Sequence, residues 1–328
     1  MPSLPSVVKE GVNLPDSDTQ CAKGFPMPAT PDIVGIGVCT VDHLVTVPRM
    51  PHRNENMTAL NYDRQPGGLA SIALIAAARL GARAKIIARI GDDDAGAYIR
   101  RALAEEGIDV AQLLVEPGSE SNISVILVHE GSGDRSIITR PPTGSPVSPK
   151  EFTREDITAA RVLFVDSLNE ATLQAARWAK EAGMKVLLDP ALPYAQIKPL
   201  LDYVDVPIVP EYWARALMPD QPPAAIAERL RDEGAEIAVV TLGERGAVVA
   251  WDGGTIAAPA FPVDVVDTTG AGDAYHGAFL YALLQDWDVP RMARFASAVG
   301  SMNCRAMGGR NALPTRDEVD QFMFDASL

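Results

Sequence analysis

The residues with the clearest chemical potential lie late in the chain, where Val263–Leu280 reads VDVVDTTGAGDAYHGAFL. An apolar, strand-like run feeds Asp267-Thr268-Thr269, then Gly270-Ala271-Gly272-Asp273, then an amphipathic helical pattern. Two glycines flanking one alanine let successive backbone N–H groups converge. The helix behind them adds its positive end, so Gly270, Ala271 and Gly272 form an anion hole suited to a phosphoryl group. Asp273 falls in the first helical turn and faces the same point. There the helix dipole is expected to keep it ionised, ready to accept a proton from a hydroxyl nucleophile. An anion cradle and a carboxylate on one turn are what phosphoryl transfer to an alcohol requires. The bland alternative, a glycine-rich turn capped by Asp273, suits a generic GxGD better than this full motif placed before a helix.

Competing chemistries are absent. No GxxxxGK[ST] loop occurs, and Gly35-Ile36-Gly37 fails as a dinucleotide fingerprint because Thr40 stands where the third glycine belongs. His43, His52, His129 and His276 show no metal-binding spacing, and Cys21, Cys39 and Cys304 are too few for a disulfide framework or a zinc site. The cysteine usage suits a reducing cytoplasm. The N-terminus has neither a cationic start nor an apolar core, so it does not read as a signal peptide. The longest apolar run, Leu69–Ala78, is half of what a spanning helix needs, about 20 residues. With 29 basic and 43 acidic residues the net charge is −14, which argues against nucleic acid or an anionic membrane as the main partner. At 328 residues, 47% hydrophobic and 22% charged, the chain is globular and long enough for a large core.

The elements that must position this motif follow from periodicity. Residues 1–30 hold five prolines and no apolar period, and read as a loosely ordered extension. From residue 31 short apolar runs alternate with helical patterns: a strand in DIVGIGV, a helix over 70–80, a strand over 85–90, a helix over 94–106, a strand over 161–165, a helix over 170–182, a strand over 185–188, a helix over 223–233 and a strand over 236–241. Gly81, Gly107, Gly183 and Gly234 close the four helices. Such alternation predicts an α/β fold with a mainly parallel sheet flanked by helices. Two stretches break it, about 41–66 and 121–140, with β-type segments HLVTV, ISVILVHE and RSIITR. Antiparallel strands there are expected to form a separate small sheet that serves as a lid.

With these motifs in view, the sequence resembles the PfkB/ribokinase-like carbohydrate kinases. DTTGAGD matches that family's C-terminal signature, and Gly67-Gly68 followed by AAARLGARAKIIARIGDDDAG (Ala76–Gly96) looks like its N-terminal one. The order agrees over roughly 31–325, and Phe295–Pro314 is similar to fructose- and sulfofructose-type members. The resemblance implies a ribokinase-like domain over 31–328 with a β-lid that forms a homodimer contact. It also implies ATP and Mg2+ as cofactors, and K+ in many members. By that similarity Asp273 is the catalytic base and Gly270, Ala271 and Gly272 the anion hole, while Asp42, Gly67 and Gly68 bind sugar hydroxyls. Thr241, Gly243 and Gly246 of TLGERG, with Asn303 and Gly308 in the following loop, lie at the nucleotide. Asp267 and Thr269 match a monovalent-cation site, although Asp267 alone would equally well cap the turn.

Two departures bear on the substrate and the metal. Many members carry asparagine a few residues after the glycine pair, where this chain has Ile72. In place of the NxxE motif stands Val209-Pro210-Glu211-Tyr212-Trp213, leaving Glu211 to reach a magnesium-bound water. The lid segments hold Arg49, Arg53, Arg64, Arg135 and Arg140 but only Tyr62 as an aromatic, which favours a ketose over a nucleoside. Arg135, at the start of RSIITR, is the candidate for an anionic end of such a sugar, or else a solvated edge charge. The sequence thus predicts an ATP-dependent kinase for fructose, sulfofructose or ribose. A nucleoside kinase, or a catalytically silent binding protein of the same fold, is the alternative.

Overall fold

Short runs of β-branched and aliphatic residues, bounded by helix caps, build the centre of the molecule. The computed structural model describes residues 30–326, so the expected N-terminal extension lies, but for Thr30, outside the described residues. The strands are β1 (Ile33–Ile36), β2 (Thr40–Val47), β3 (Asn61–Gly67), β4 (Ala84–Gly91), β5 (Asp109–Glu116), β6 (Ile123–His129), β7 (Arg135–Arg140), β8 (Val162–Val165), β9 (Lys185–Leu188), β10 (Val206–Pro210), β11 (Ala238–Thr241), β12 (Ala247–Trp251) and β13 (Gly254–Ala258). The helices are α1 (Leu69–Arg79), α2 (Asp94–Glu105), α3 (Arg154–Thr158), α4 (Glu170–Glu181), α5 (Tyr194–Leu201), α6 (Glu211–Leu217), α7 (Pro223–Asp232), α8 (Ala271–Ala282), α9 (Val289–Asn303) and α10 (Arg316–Asp325).

Nine strands form one sheet in the order β13-β12-β11-β10-β9-β8-β1-β4-β5. All neighbours from β11 to β5 are parallel, and the β12–β13 edge is antiparallel. β1 and β8, IVGI and VLFV, are buried along their whole length, as a strand covered on both faces must be. One face packs on α1, α2, α8 and α9 through Leu74, Ile99, Phe279 and Phe295, and the other on α3 to α7 through Ile157, Ala175, Ile197, Trp213 and Ile226. The glycines predicted to end α1, α2, α4 and α7 all take positive φ.

β2, β3, β6 and β7 leave this sheet and form a second one, ordered β3-β2-β6-β7. Its outer seams are antiparallel, but β2 runs parallel to β6, because the two hairpins leave the core separately and lie side by side in the same sense. The pairing sets Asp42 beside Gln65 and Ser124, and Ser124 beside Thr139. With a period of two, Asp42, Leu44, Thr46, Asp63, Gln65, Ser124, Ile126, Val128, Arg135, Ile137 and Thr139 share one face. Leu44, Ile126 and Val128 on that face cluster with Met307 of the main domain, so this face looks inward. The carboxyl ends of the main-sheet strands open beneath it, with Asp166 after β8, Asp189 after β9, Glu211 after β10 and Thr241 closing β11.

Candidate active site

The motif Asp267–Asp273 turns from an irregular segment into α8, and its hydrogen bonds show how the turn is held. Asp267 is fully buried; its Oδ1 accepts from the Thr269 N–H and hydroxyl, both at 2.8 Å, and its Oδ2 from the Gly308 N–H at 2.8 Å. Asn303 Nδ2 donates to the Thr269 carbonyl at 2.9 Å. Gly270, with φ 74°, precedes α8 in the left-handed conformation and approaches Gly309 so closely that a Cβ would stand 2.4 Å from the Gly309 Cα. Glycine at 270 is what lets the 303–309 loop pass beneath the helix end. The first turn of α8 then presents Ala271, Gly272 and Asp273 toward the lid.

Carboxylates crowd this end of the sheet. Asp42 is buried on the lid, with Oδ1 unpartnered, and burial pushes it up to about 7 against a hydrogen bond from Ser124. Gly67 admits it, since a Cβ there would stand 2.0 Å from Asp42 Oδ2. Asp166, also with one oxygen unpartnered, accepts the Val38 N–H at 2.6 Å and is pushed up to about 6 by burial. Burial and the charge of Asp166 raise Asp189, and burial with the charge of Asp189 raises Asp273. The helix end was expected to keep Asp273 ionised. Burial among like charges outweighs that field in the ligand-free chain. The charges of Asp42 and Arg135, both on the lid, are felt at Asp273 with opposite sign.

Arg135 reaches across from β7 and donates to the Thr268 hydroxyl at 2.7 Å, while Thr268 donates from its backbone N–H and its hydroxyl to the Gly133 carbonyl. The lid turn is thereby fastened to the segment before the anion hole. The other lid arginines are committed elsewhere: Arg49 to Glu55, Arg140 to Glu120, and Arg64 over the Tyr98 ring; Arg53 is exposed on the loop between β2 and β3. The TLGERG turn follows β11, with Gly243 and Gly246 at positive φ and the Leu242 N–H donating to the Gly246 carbonyl at 2.7 Å. It stands beside β10, joined to it by Arg245 and Glu211.

Two expected residues have partners within the protein. Asn303, expected beside the nucleotide, is wholly buried with its amide on Thr269, so it braces the cradle from below. Glu211, expected near the metal, is paired with Arg215 through one oxygen and Arg245 through the other. Those guanidinium groups hold it below the ordinary carboxylate range, and Oε2, with one donor, keeps a lone pair that a magnesium-bound water could use. At the residues proposed for K+, Asp267 Oδ2 and the Thr269 carbonyl each accept one N–H and keep a lone pair that such an ion could use.

Sequence reasoning missed Asp166, Asp189, His276 and Gln65. The signal for the first two is an aspartate directly after a buried apolar run, VLFVD and KVLLD. Gln65 donates to the Met307 carbonyl at 2.9 Å and to Asp63 at 2.7 Å, and accepts from the Arg310 N–H, clipping the lid to the 303–310 loop. Only structure brings those segments together. Ile72, at the place of the missing asparagine, is buried beneath Gly309.

A mostly parallel sheet with a β-lid over an anion cradle and an adjacent carboxylate defines a small-molecule kinase of the ribokinase fold. The chain belongs to the pfkB family carbohydrate kinases, whose family model matches residues 30–316. It is 29% identical over 297 residues to the ribokinase of Haemophilus influenzae, covering 88% of this chain and 97% of that one. Its fold matches that of a ribokinase from Giardia lamblia with a TM-score of 0.81 at 21% identity, covering 90% of this chain and all of that one. It also matches an Arabidopsis thaliana ribokinase complexed with ribose and ATP, with a TM-score of 0.78 at 23% identity, covering 90% and 99%. The protein is therefore a sugar kinase, a phosphotransferase with an alcohol acceptor.

Proposed function

We propose that this chain transfers the γ-phosphoryl group of ATP to a primary hydroxyl of a small neutral sugar, a ketose such as fructose or a ribose-type pentose. The observation that carries this reading is that Asp42, buried on the inner face of the lid, and Asp273, half-buried in the first turn of α8, border one space, near enough for the charge of Asp42 to act on Asp273. Asp42, with Gly67 and Gly68, takes sugar hydroxyls, and Thr241, Gly243 and Gly246 take the nucleotide. Magnesium arrives with ATP and neutralises phosphate charge. Asp273 accepts the hydroxyl proton as that oxygen bonds the γ-phosphorus and the bond to the departing ADP oxygen breaks. The N–H groups of Gly270–Gly272 take up charge on the transferring group.

A sulfofructose-type anion is less well served. Arg135 and Asp42 share a lid face but sit at opposite ends of it, because Arg135 is four residues along β7 from Thr139, the neighbour of Ser124, or roughly 13 Å. Its hydrogen bond to Thr268 sets Arg135 on the phosphoryl side. The inner lid face carries no aromatic ring among the described residues, which favours a sugar over a nucleoside. The outer face, with Val125, Ile138 and Tyr62 exposed, suits a second copy of this chain, and ATP as co-substrate suits a cytoplasmic home. ATP consumption measured against ketoses, aldoses, sulfofructose and nucleosides tests the reading, together with Asp273→Asn. The mutant should bind ATP and sugar yet turn over about 10² to 10⁴-fold more slowly. Near-wild-type turnover would remove Asp273 as the base.

A further inference from the structure

We propose that His276 and Asp189 are positioning residues for the transfer, acting through Asp273 and the anion-hole turn to set when Asp273 is free to take a proton; this rests on the function proposed above. His276 lies one turn beyond Asp273 on α8 and is buried. Its Nδ1 is 2.7 Å from the carbonyl oxygen of Gly272, the last glycine of the cradle, and 3.5 Å from Asp189 Oδ2 at the end of β9. Its Nε2 is 3.1 Å from the Ile208 carbonyl in β10, and its edge meets the Phe164 ring of β8. One imidazole thus ties the anion-hole turn to three adjacent strands.

The geometry constrains its protons. Carbonyl oxygens only accept, so a ring with one N–H satisfies either Gly272 or Ile208, and a ring with two satisfies both while facing Asp189. Burial opposes the second proton and the net direction for His276 is down, whereas the two carbonyls and Asp273 favour it. Among the described residues, the ionisable side chains that act on Asp273 and Asp189 are acids apart from His276 itself and Arg135. Asp273 comes from α8, Asp189 from β9, Asp166 from β8 across Asp189, and Asp42 from the lid, with Arg135 of the lid as the cation. The Tyr212 hydroxyl of α6 stands beyond Asp189. At Asp273 the influence of Asp189 favours the protonated acid and that of His276 the carboxylate. These two residues touch each other, and His276 also touches the cradle from behind at the Gly272 carbonyl, so they oppose one another behind the proton acceptor.

The opposition gives the test. The pH profile of kcat is measured for the wild type, Asp189→Asn and His276→Gln at saturating sugar and ATP. Asp189→Asn should move the acidic limb to lower pH and His276→Gln to higher pH, each by about half to one unit, with KM changed less than about threefold. Limbs that stay in place, or that move the same way in both variants while kcat falls, would reduce the two residues to structural support and overturn the proposal. Should His276→Gln fail to fold, His276→Asn and Asp189→Asn carry the same comparison. A carbon-13 titration of Asp273 in the ligand-free protein reads the same two shifts without turnover. Opposed shifts there with no sugar phosphorylated would sink the proposed function and leave this inference standing; unmoved titrations in an active kinase would do the reverse.

Discussion

At the scale of single residues the site is decided by what each polar atom has left to give. Asp267 bonds Thr269 and Gly308, and Asn303 donates to the Thr269 carbonyl, so the cradle exists before any ligand arrives. Asp42 and Asp166 keep a buried oxygen unpartnered, which marks them for a ligand rich in hydroxyl donors. Arg135 has one hydrogen bond and four donors to spare, beside the turn proposed to hold the phosphoryl group. Arg135→Ala should lower kcat at least tenfold for every sugar accepted, as loss of an electrostatic stabiliser does, with a modest change in sugar KM. A rise in KM confined to sulfonated or phosphorylated ketoses would instead give Arg135 to the sugar.

Elements carry these residues because helices and strands meet at small side chains. α8 lies against α1 at Gly277, where a Cβ would stand 2.3 Å from the Ala73 carbonyl oxygen and 2.5 Å from the Ala76 Cβ. Gly277→Ala should destabilise the fold by about 1–3 kcal/mol, the usual cost of overpacking, read as a lower denaturation midpoint with unchanged slope. An unchanged midpoint would mean that the two helices slide apart freely. Most of the parallel core was legible because runs such as VLFV and KVLL are short, apolar and closed by glycine-capped helices. β5, with its mixed pattern DVAQLLVE at a sheet edge, has one buried position and no clear period. The α9–α10 region has no strand between its helices to punctuate it. DTTGAGD pointed, through local geometry, to the tight turn before α8 and to Asp273 in its first turn. The clip by Gln65, the place of His276 between the Gly272 and Ile208 carbonyls and the arginine clamp on Glu211 depend on pairings across the fold, which spacing along the chain does not encode.

At the scale of the whole molecule, acidic charge and lid architecture set the behaviour. Asp42 and Asp166 have folded values near 7 and 6 against an ordinary value of 3.8. Their neutral form therefore favours the fold: their contribution is full below about pH 4 and is lost as pH rises through about 6 to 7. The Tm of the ligand-free protein should fall between about pH 5 and pH 8, and Asp166→Asn should flatten that fall; a Tm rising over the interval would contradict the burial of these carboxyls. The outer lid face predicts a second effect. Ile138→Asp should convert a dimer to a monomer in light scattering, since a charge on that apolar sheet face opposes its burial. A wild-type monomer at micromolar concentration would remove the lid as an interface. The fastening of Thr268 to Gly133 has a kinetic consequence. Because the lid tip hydrogen-bonds the segment that leads into the anion hole, the sugar side and the nucleotide side open together, and both products wait on one diffusive swing of the lid. Turnover should then slow as glycerol or sucrose thickens the solvent, and the drag should weaken in Thr268→Val, which loses the hydroxyl's bonds to Gly133 and Arg135 and keeps only the backbone one.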